Sequence, residues 1–206
     1  SGRYPTPDGK AQLVPLSFVP RSDGDRQHVL RLNTGRYRDQ WHTMTRTGLS
    51  PKLSQHRREP VVEVHPDMMA RFGLDDGGLA EVETAQGKSI FRVASTFNQR
   101  RMELFVPMHW TDQTSGGGRT GLLPGQDRDP ISGQPGFKTP PATIRIWQPR
   151  WQGFLVSKSL PPLPECAYWT RIRVASGWLI ELAGDGEPDA LLAMLPEGDR
   201  AEMRDA

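Results

Sequence analysis

At 206 residues the chain suits one domain of ordinary size, or one domain with a small appendage. Its 26 Lys and Arg against 24 Asp and Glu leave a formal net charge of +2, which excludes the broad electrostatic footprint of a general nucleic-acid binder, and no apolar run approaches the ~20 residues of a membrane-spanning helix. A single cysteine, Cys166, excludes an internal disulfide framework and any cysteine-built zinc or iron–sulfur site within the chain.

With 21 Gly and 19 Pro, breaks come often and the segments between them are short, which favours an all-β or β-rich barrel over a helical bundle. Residues 1–27 read as an extended lead-in with a candidate edge strand at 12–16. No apolar stretch with a charged N-terminal flank marks a signal peptide, and the opening Ser1-Gly2 looks like a tag remnant or an excised segment. The run Val29-Leu30-Arg31-Leu32 reads as a strand leading into a polar stretch, 33–48. Another strand follows at 61–64. His65-Pro66-Asp67 then starts a single short helix, 68–72, with Pro near its start and Gly73 just past its end. Segments 79–84 and 88–93 flank Ala85-Gln86-Gly87 as a β-hairpin, and further strands are predicted at 102–106 and 143–147. The long stretch 108–139 between the last two is crowded with Gly, Pro, Asp and Ser. A loop of that length is usually functional or disordered, and it holds His109, Trp110, Arg119, Arg128 and Lys138. Gly116-Gly117-Gly118 reads as a source of flexibility within it.

From residue 149 the composition changes. Segment 151–154 and the prolines Pro161, Pro162 and Pro164 read as a connector, with Cys166 beyond them as an inert thiol. Segments 171–174 and 178–182 form a second predicted hairpin around Ala175-Ser176-Gly177, and 188–195 a short helix. This reading divides the chain into 1–148 and an extension, 149–206. The extension is too small for its own core and is expected to pack on the barrel or on a missing neighbour.

The stretch from Asn33 to Gly48 is too rich in hydrogen-bonding groups to be core. It leaves a strand end, carries Gly35 where a backbone can approach a ligand closely, and presents Arg36, Arg38 and Arg46. That combination suits an anionic, many-armed ligand. The arginines cluster, here and at Arg57-Arg58, which implies a defined anionic site. Other chemistries fare worse. His28, His42, His56, His65 and His109 lack zinc spacing, and no serine stands in a nucleophile elbow. The triple glycine lacks the Lys-Ser/Thr pair of a P-loop.

Thr34-Gly35-Arg36 followed by Trp41-His42-Thr43-Met44-Thr45-Arg46 resembles the signature of the C-terminal domain of molybdopterin-dinucleotide oxidoreductases, assimilatory nitrate reductases most closely. Three further segments agree in order and spacing. His65-Pro66-Asp67 through Gly73-Leu74-Asp75-Asp76-Gly77 resembles the family's helix and turn before its hairpin. Phe105-Val106-Pro107-Met108-His109-Trp110 resembles the assimilatory branch's next strand end. Asp129-Pro130-Ile131-Ser132-Gly133-Gln134-Pro135, followed by Phe137-Lys138, resembles the last cofactor-contacting loop. The match runs from about Leu13 to Trp147, with weaker similarity at Trp151-Gln152-Gly153-Phe154 and Glu181-Leu182-Ala183-Gly184.

The resemblance implies a mainly β fold: a six-stranded double-psi β-barrel, aspartate-decarboxylase-like, with short helices and a small α/β tail. It implies a cofactor, molybdenum-bis(molybdopterin guanine dinucleotide), contacted by Thr34, Gly35, Arg36, Asp39, Trp41, His42, Thr43, Met108 and Lys138. No catalytic side chain and no metal ligand is expected in this chain. Arg36 or Arg38 suits phosphate as a planar fork. Asp39 suits guanine donors or is a solvated carboxylate; Trp41 lines the pterin or packs in the core. Gly121 departs from the family's frequent asparagine, eight residues before the Asp-Pro pair, and Gly78 from its frequent aspartate.

The implied whole is an assimilatory, cytoplasmic nitrate reductase whose iron–sulfur cluster and metal-ligating side chain belong to upstream domains. This chain alone is then expected to be inactive. Met44, Thr45, Arg46 and His109 are candidates for the wall of a funnel that admits nitrate. Expected partners are those upstream domains and an electron donor such as ferredoxin, flavodoxin or an NADH-linked subunit, with no nucleic acid and no membrane. The same domain of a formate dehydrogenase or a periplasmic-type nitrate reductase is the alternative. A barrel binding single-stranded nucleic acid would want aromatics along basic strands, and here they fall mostly in loops.

Overall fold

The computed structural model describes residues 2–15, 17, 29–160, 166–187 and 200–205, the last six as backbone. In chain order the strands are β1 (Leu30–Gly35), β2 (Val61–Val64), β3 (Leu79–Thr84), β4 (Gly87–Ser95), β5 (Glu103–Pro107) and β6 (Ser115–Gly116). They continue as β7 (Pro141–Ile146), β8 (Trp151–Ser157), β9 (Tyr168–Val174), β10 (Gly177–Gly184) and β11 (Arg200–Asp205), with short helices α1 (Pro51–Ser54) and α2 (Pro66–Phe72) between β1 and β3.

Six strands close into a barrel in the order β1-β5-β2-β4-β3-β7. β1 runs parallel to β5 and β2 parallel to β4, and the remaining neighbours are antiparallel. The interior follows from the two-residue period of strand side chains. Each barrel strand supplies an inward pair two positions apart: Leu30 and Leu32, Val62 and Val64, Ala80 and Val82, Phe91 and Val93, Leu104 and Val106, Ala142 and Ile144. Met68 and Met69 of α2 and the following Leu74 join this one cluster. Truncating a member as large as Phe91 to alanine is expected to cost about 3–5 kcal/mol.

Local chemistry sets the element ends. In α2, His65 caps the N-terminus by accepting the Asp67 N–H at 3.1 Å, Pro66 takes the first turn, and Gly73 stops the helix at φ +65°. The β3–β4 hairpin closes at Thr84 and Gly87. Two expectations fail here. Residues 12–15 form no strand, and Pro15 brings no N–H to a ladder; Leu16, the end of the expected strand, lies outside the described residues. The expected single helix is joined by α1 and by a 3-10 turn at Thr47–Leu49, because a one-turn helix is too short to show the helical period in sequence.

A second sheet is ordered β11-β8-β10-β9-β6. One face packs on the barrel wall, where Tyr168 and Ala183 meet Leu79 and Ile90. The other gathers Trp151, Leu155, Ile180 and Leu182 with Trp169 and Trp178, so the extension has a small apolar cluster of its own. The expected connector at 151–154 is in fact the first half of β8. Trp151 and Leu155 share its apolar face, but Gln152 and Gly153 between them hide the alternation. The helix predicted at 188–195 lies outside the described residues.

The triple glycine is not a flexible loop. Gly116 pairs with Trp169 in the sheet, and a Cβ there would lie 2.1 Å from the indole Nε1. Gly117 has φ +91° and would press a Cβ to 2.5 Å from the Ala167 carbonyl. These glycines let the barrel's long 108–139 segment lie flat against the second sheet. Cys166 is also fixed there, its Sγ 3.0 and 2.9 Å from the Tyr168 and Ala183 carbonyl oxygens. Burial pushes its thiol pKa up.

Charge fastens the sheet to the barrel. Glu59 accepts the fully buried Tyr168 hydroxyl at 2.7 Å and the Arg92 Nε–H at 3.0 Å. Arg92 also reaches Gln152 of β8 at 3.0 Å and the Gly77 carbonyl at 3.1 Å. Glu181 of β10 adds a second carboxyl near Glu59. Burial, then the charge of Glu59, raise its pKa from 4.5 to about 7 against the opposing pull of Arg92 and Arg58.

Candidate functional site

Parallel pairing of β1 and β5 puts Gly35 beside Pro107, so the segments that follow both strands emerge at one end of the barrel. The Met108 N–H donates to the Gly35 carbonyl at 2.9 Å and ties the two exits together. A third segment runs along β1. Thr139 N–H donates to the Leu32 carbonyl at 2.8 Å, Leu32 N–H to the Pro140 carbonyl at 3.0 Å, and the Thr34 hydroxyl to the Phe137 carbonyl at 3.0 Å. The arginine-bearing loop, Met108 and the Phe137-Lys138 turn therefore converge, although they are far apart in sequence.

The loop is bolted from beneath by His109, which is fully buried. Its Nε2 accepts the Tyr37 N–H at 2.8 Å, so that nitrogen carries no proton. The proton sits on Nδ1, which donates to the His42 carbonyl at 2.6 Å. Burial lowers the imidazole pKa, the His42 carbonyl pulls it back, and the Arg36 charge lowers it again; the ring is held neutral. The bond to His42 stabilises a strained backbone, since His42 and Met44 have φ of +44° and +61°. Such residues cost on the order of 1–3 kcal/mol each unless their surroundings hold them. Met44 is buried with Tyr37, Val61 and Trp110 beneath the loop. Thr47 closes it, donating to Gln40 at 2.7 Å and accepting the Trp41 N–H at 3.1 Å.

Above that floor the loop presents Arg36, Trp41, His42, Thr43 and Arg46 to solvent. Trp41 is 56% exposed with its ring 4.8 Å from that of His42, so it is no core residue. Asp39 is half-buried and already engaged. It takes a fork from Arg38 at 3.0 and 2.9 Å and lies 3.0 Å from His56 Nδ1. The Arg38 guanidinium holds the Asp39 carboxyl below the usual carboxylate range. Arg38 and Asp39 thus largely cancel. Among the described residues, Arg36 and Arg46 have no carboxylate at ion-pairing distance, and they keep their donors for something else.

A groove of about 420 Å³ opens beside the Phe137-Lys138 turn, lined by Arg31, Asn33, Asn98, Gln99, Arg100 and Lys138, with one carboxylate, Glu103, among them. Cationic and amide groups dominate it, a donor and acceptor set that fits phosphate oxygens and the polar edge of a purine. The residues present therefore fit a pterin nucleotide in chemistry.

Several expectations are corrected by burial. Met44 and His109 cannot line a funnel, being 4% and 0% exposed; they are the floor. The Thr34 side chain is buried and committed to Phe137, which leaves its backbone for any ligand. Gly35 has a packing reason of its own, because a Cβ would lie 2.6 Å from the Phe105 ring. Gly121 is exposed, with open space where a side chain would go. Sequence reasoning missed Tyr37 and His56 as supports and the 98–100 side of the groove. Asn33 was findable: Leu30, Leu32 and Thr34 point inward, so Arg31 and Asn33 must share the other face of β1. The Asp129 loop is self-contained, its carboxylate accepting from Ile131 N–H, Ser132 N–H and the Ser132 hydroxyl at 3.1, 2.7 and 2.9 Å.

Residues 30–141 match the family model described as the molydopterin dinucleotide binding domain. A nitrate reductase of Klebsiella oxytoca is 46% identical over 86% of this chain and 21% of its own length. The assimilatory nitrate reductase catalytic subunit of Bacillus subtilis is 30% identical over 68% of the chain and 19% of its length. The alpha subunit of an F420-dependent formate dehydrogenase from Methanococcus maripaludis is 25% identical over 68% and 20%. The chain thus spans about a fifth of the length of these relatives. The structure of acetylene hydratase from Pelobacter acetylenicus superposes with a TM-score of 0.51 at 20% identity, over 57% of this chain and 18% of that one, a likeness of fold alone.

Proposed function

Because the chain belongs to the molydopterin dinucleotide binding domain family, we propose that it is the cofactor-holding part of a molybdenum-dependent nitrate reductase of the assimilatory, cytoplasmic type. The observation that carries the reading is the convergence of the Arg36 loop with the Phe137-Lys138 turn, joined by the Thr34–Phe137 hydrogen bond. When bound, the molybdenum-bis(molybdopterin guanine dinucleotide) supplies the two-electron chemistry that takes nitrate to nitrite.

The chain's own contribution is binding and orientation. Arg36 and Lys138 offer positive charge to phosphate oxygens, Arg36 as a planar fork and Lys138 as a point charge. The amides of Asn33, Asn98 and Gln99 offer both donors and acceptors to a guanine edge. Trp41 offers an exposed ring face to the pterin. Neutral His109 keeps the loop in shape without adding charge beneath it. Arg46 and Thr45, exposed on the same loop, contribute a wall facing the upstream domains of the full enzyme, which also hold the iron–sulfur cluster and receive electrons from a ferredoxin, flavodoxin or NADH-linked donor.

Arg36→Ala in the full-length enzyme is expected to lower cofactor occupancy several-fold, measured as molybdenum content and as guanine nucleotide released on acid treatment. Unchanged content of both would sink the assignment of this arginine. The 206-residue chain by itself is expected to reduce no nitrate with any artificial electron donor. A second reading, the same domain of a formate dehydrogenase, is favoured by the relative from Methanococcus maripaludis. Assaying the full-length enzyme for formate oxidation against nitrate reduction separates the two.

A further inference from the structure

The groups that would meet a ligand stand at two points of the 36–46 loop. Arg36 immediately precedes Tyr37, and Trp41 immediately precedes His42. One side chain holds both points. The His109 Nε2 accepts the Tyr37 N–H at 2.8 Å, and its Nδ1–H donates to the His42 carbonyl at 2.6 Å. The barrel carries this ring, for it follows Met108, whose N–H is bonded to the Gly35 carbonyl at the β5 exit. His109 is therefore a spacer of fixed length between the backbone beside Arg36 and the backbone of the Trp41-His42 pair.

The spacer works in one protonation state. Only a neutral imidazole with its proton on Nδ1 offers Tyr37 an acceptor and His42 a donor at once. A proton on Nε2 turns that acceptor into a donor aimed at the Tyr37 N–H, and one of the two contacts is lost. Nothing nearby compensates. The charged or titratable groups acting on the ring are Arg36 and His42, and among the described residues no carboxylate pairs with it. Tyr37 and Trp110 wall it with rings centred 6.0 and 6.3 Å away. His56, Arg57 and Glu63 act on Tyr37 instead. An anion bound at Arg36 offsets the repulsion from that arginine, but it cannot give Nε2 back its lone pair. The backbone that would be let go is strained, with His42 and Met44 at φ +44° and +61°, so it relaxes once a hold is lost.

We propose that His109 is a positioning residue for the cofactor: its neutral ring sets the spacing of Arg36 from the Trp41-His42 pair, and protonation of Nε2 loosens the grip on the dinucleotide. The inference rests on the cofactor role proposed for this loop, and adds one titrating group that governs retention.

The test is cofactor retention by the loaded, full-length enzyme, incubated between about pH 8 and about pH 5, the range in which a histidine titrates. After desalting, bound molybdenum and guanine nucleotide are measured. Wild-type retention is expected to fall several-fold, with a one-proton midpoint below 6.5. His109→Gln is the decisive variant, because its amide offers one acceptor and one donor and does not titrate. At neutral pH it should retain several-fold more cofactor than His109→Ala, and it should lose the acid release. Limited proteolysis of the cofactor-free, full-length enzyme reads the loop directly and decides the matter if the variants take up no cofactor. In the wild type, cutting within 36–46 should begin at the same midpoint while the barrel stays uncut. Acid release that persists unchanged in His109→Gln overturns the proposal, as does a wild-type profile that is flat in both retention and cutting. Absence of guanine nucleotide at every pH overturns it together with the cofactor reading, and is thereby told apart from a flat profile.

Discussion

The arginine-bearing loop and the second sheet are fastened to the same barrel by opposite chemistry. Beneath the loop the bolt is a neutral imidazole, with His109 spanning the Tyr37 N–H and the His42 carbonyl. Between sheet and barrel the fastening is a charged set, Glu59 with Arg92 and Tyr168, and Glu181 close by. The difference teaches where charge is tolerated. A loop that must offer cations outward gains from a floor that satisfies its backbone without adding charge, whereas a joint with no ligand can hold ions that compensate one another. The two respond to acid in opposite senses. The His109 pKa is depressed below 6.5, so the stability of the neutral bolt is lost as pH falls from about that value through the folded one. The Glu181 pKa is raised from 4.5 to about 7, so its contribution is full below 4.5 and is lost as pH rises through 7.

The comparison breaks most visibly at His109. Replacing it with alanine leaves the buried Tyr37 N–H and the part-buried His42 carbonyl unpaired, with a cavity under His42 and Met44, which hold left-handed backbones. The expected loss is about 3–5 kcal/mol by denaturant unfolding. Limited proteolysis should also begin to cut within 36–46. A loss below about 1 kcal/mol, no more than an average point substitution costs, would show that the loop holds itself.

How much of this was legible beforehand follows the same divide. The barrel announces itself because each strand repeats an apolar residue every second position, as Val62 and Val64 or Leu104 and Val106 do. The loop announced itself by polarity after such a strand. What stayed hidden depends on contacts between distant segments. Nothing local distinguishes His109 at the floor from His109 at a funnel wall, because its burial is set by Tyr37 and His42, at separations of 72 and 67 residues. Gly116-Gly117-Gly118 looked like slack for the same reason: the Trp169 ring that forbids a side chain comes from a strand far along the chain. Glu59, in a short linker before β2, gave no sign that it joins two halves of the molecule.

The charged joint is tested next, with a smaller expected effect. Tyr168→Phe removes one donor from Glu59 and keeps the ring packed against Leu79 and Ile90. Leaving the partly buried Glu59 carboxylate short of one partner should cost about 1–3 kcal/mol. If unfolding shows no loss, Arg92 alone satisfies Glu59 and the joint is an ion pair with a spectator phenol.

Glu181→Gln sharpens the comparison with the smallest change in structure, since the amide keeps the shape and removes the charge. The groups facing this position are Glu59 and Arg58 from the segment before β2 and Arg92 from β4. In the unfolded chain the carboxyl ionises near 4.5, whereas in the folded protein it resists ionisation up to about 7. Across that window the native protein holds more protons than the unfolded chain, so raising the pH destabilises it, and an amide escapes the penalty. Melting temperatures of the two proteins should coincide near pH 4, diverge in favour of the Glu181→Gln variant as pH rises to about 7, and run parallel above it. The acid-side weakening from His109 should survive the substitution unaltered, because the imidazole belongs to the other fastening. A constant gap at every pH would mean that packing, and not ionisation, distinguishes the two side chains at the joint.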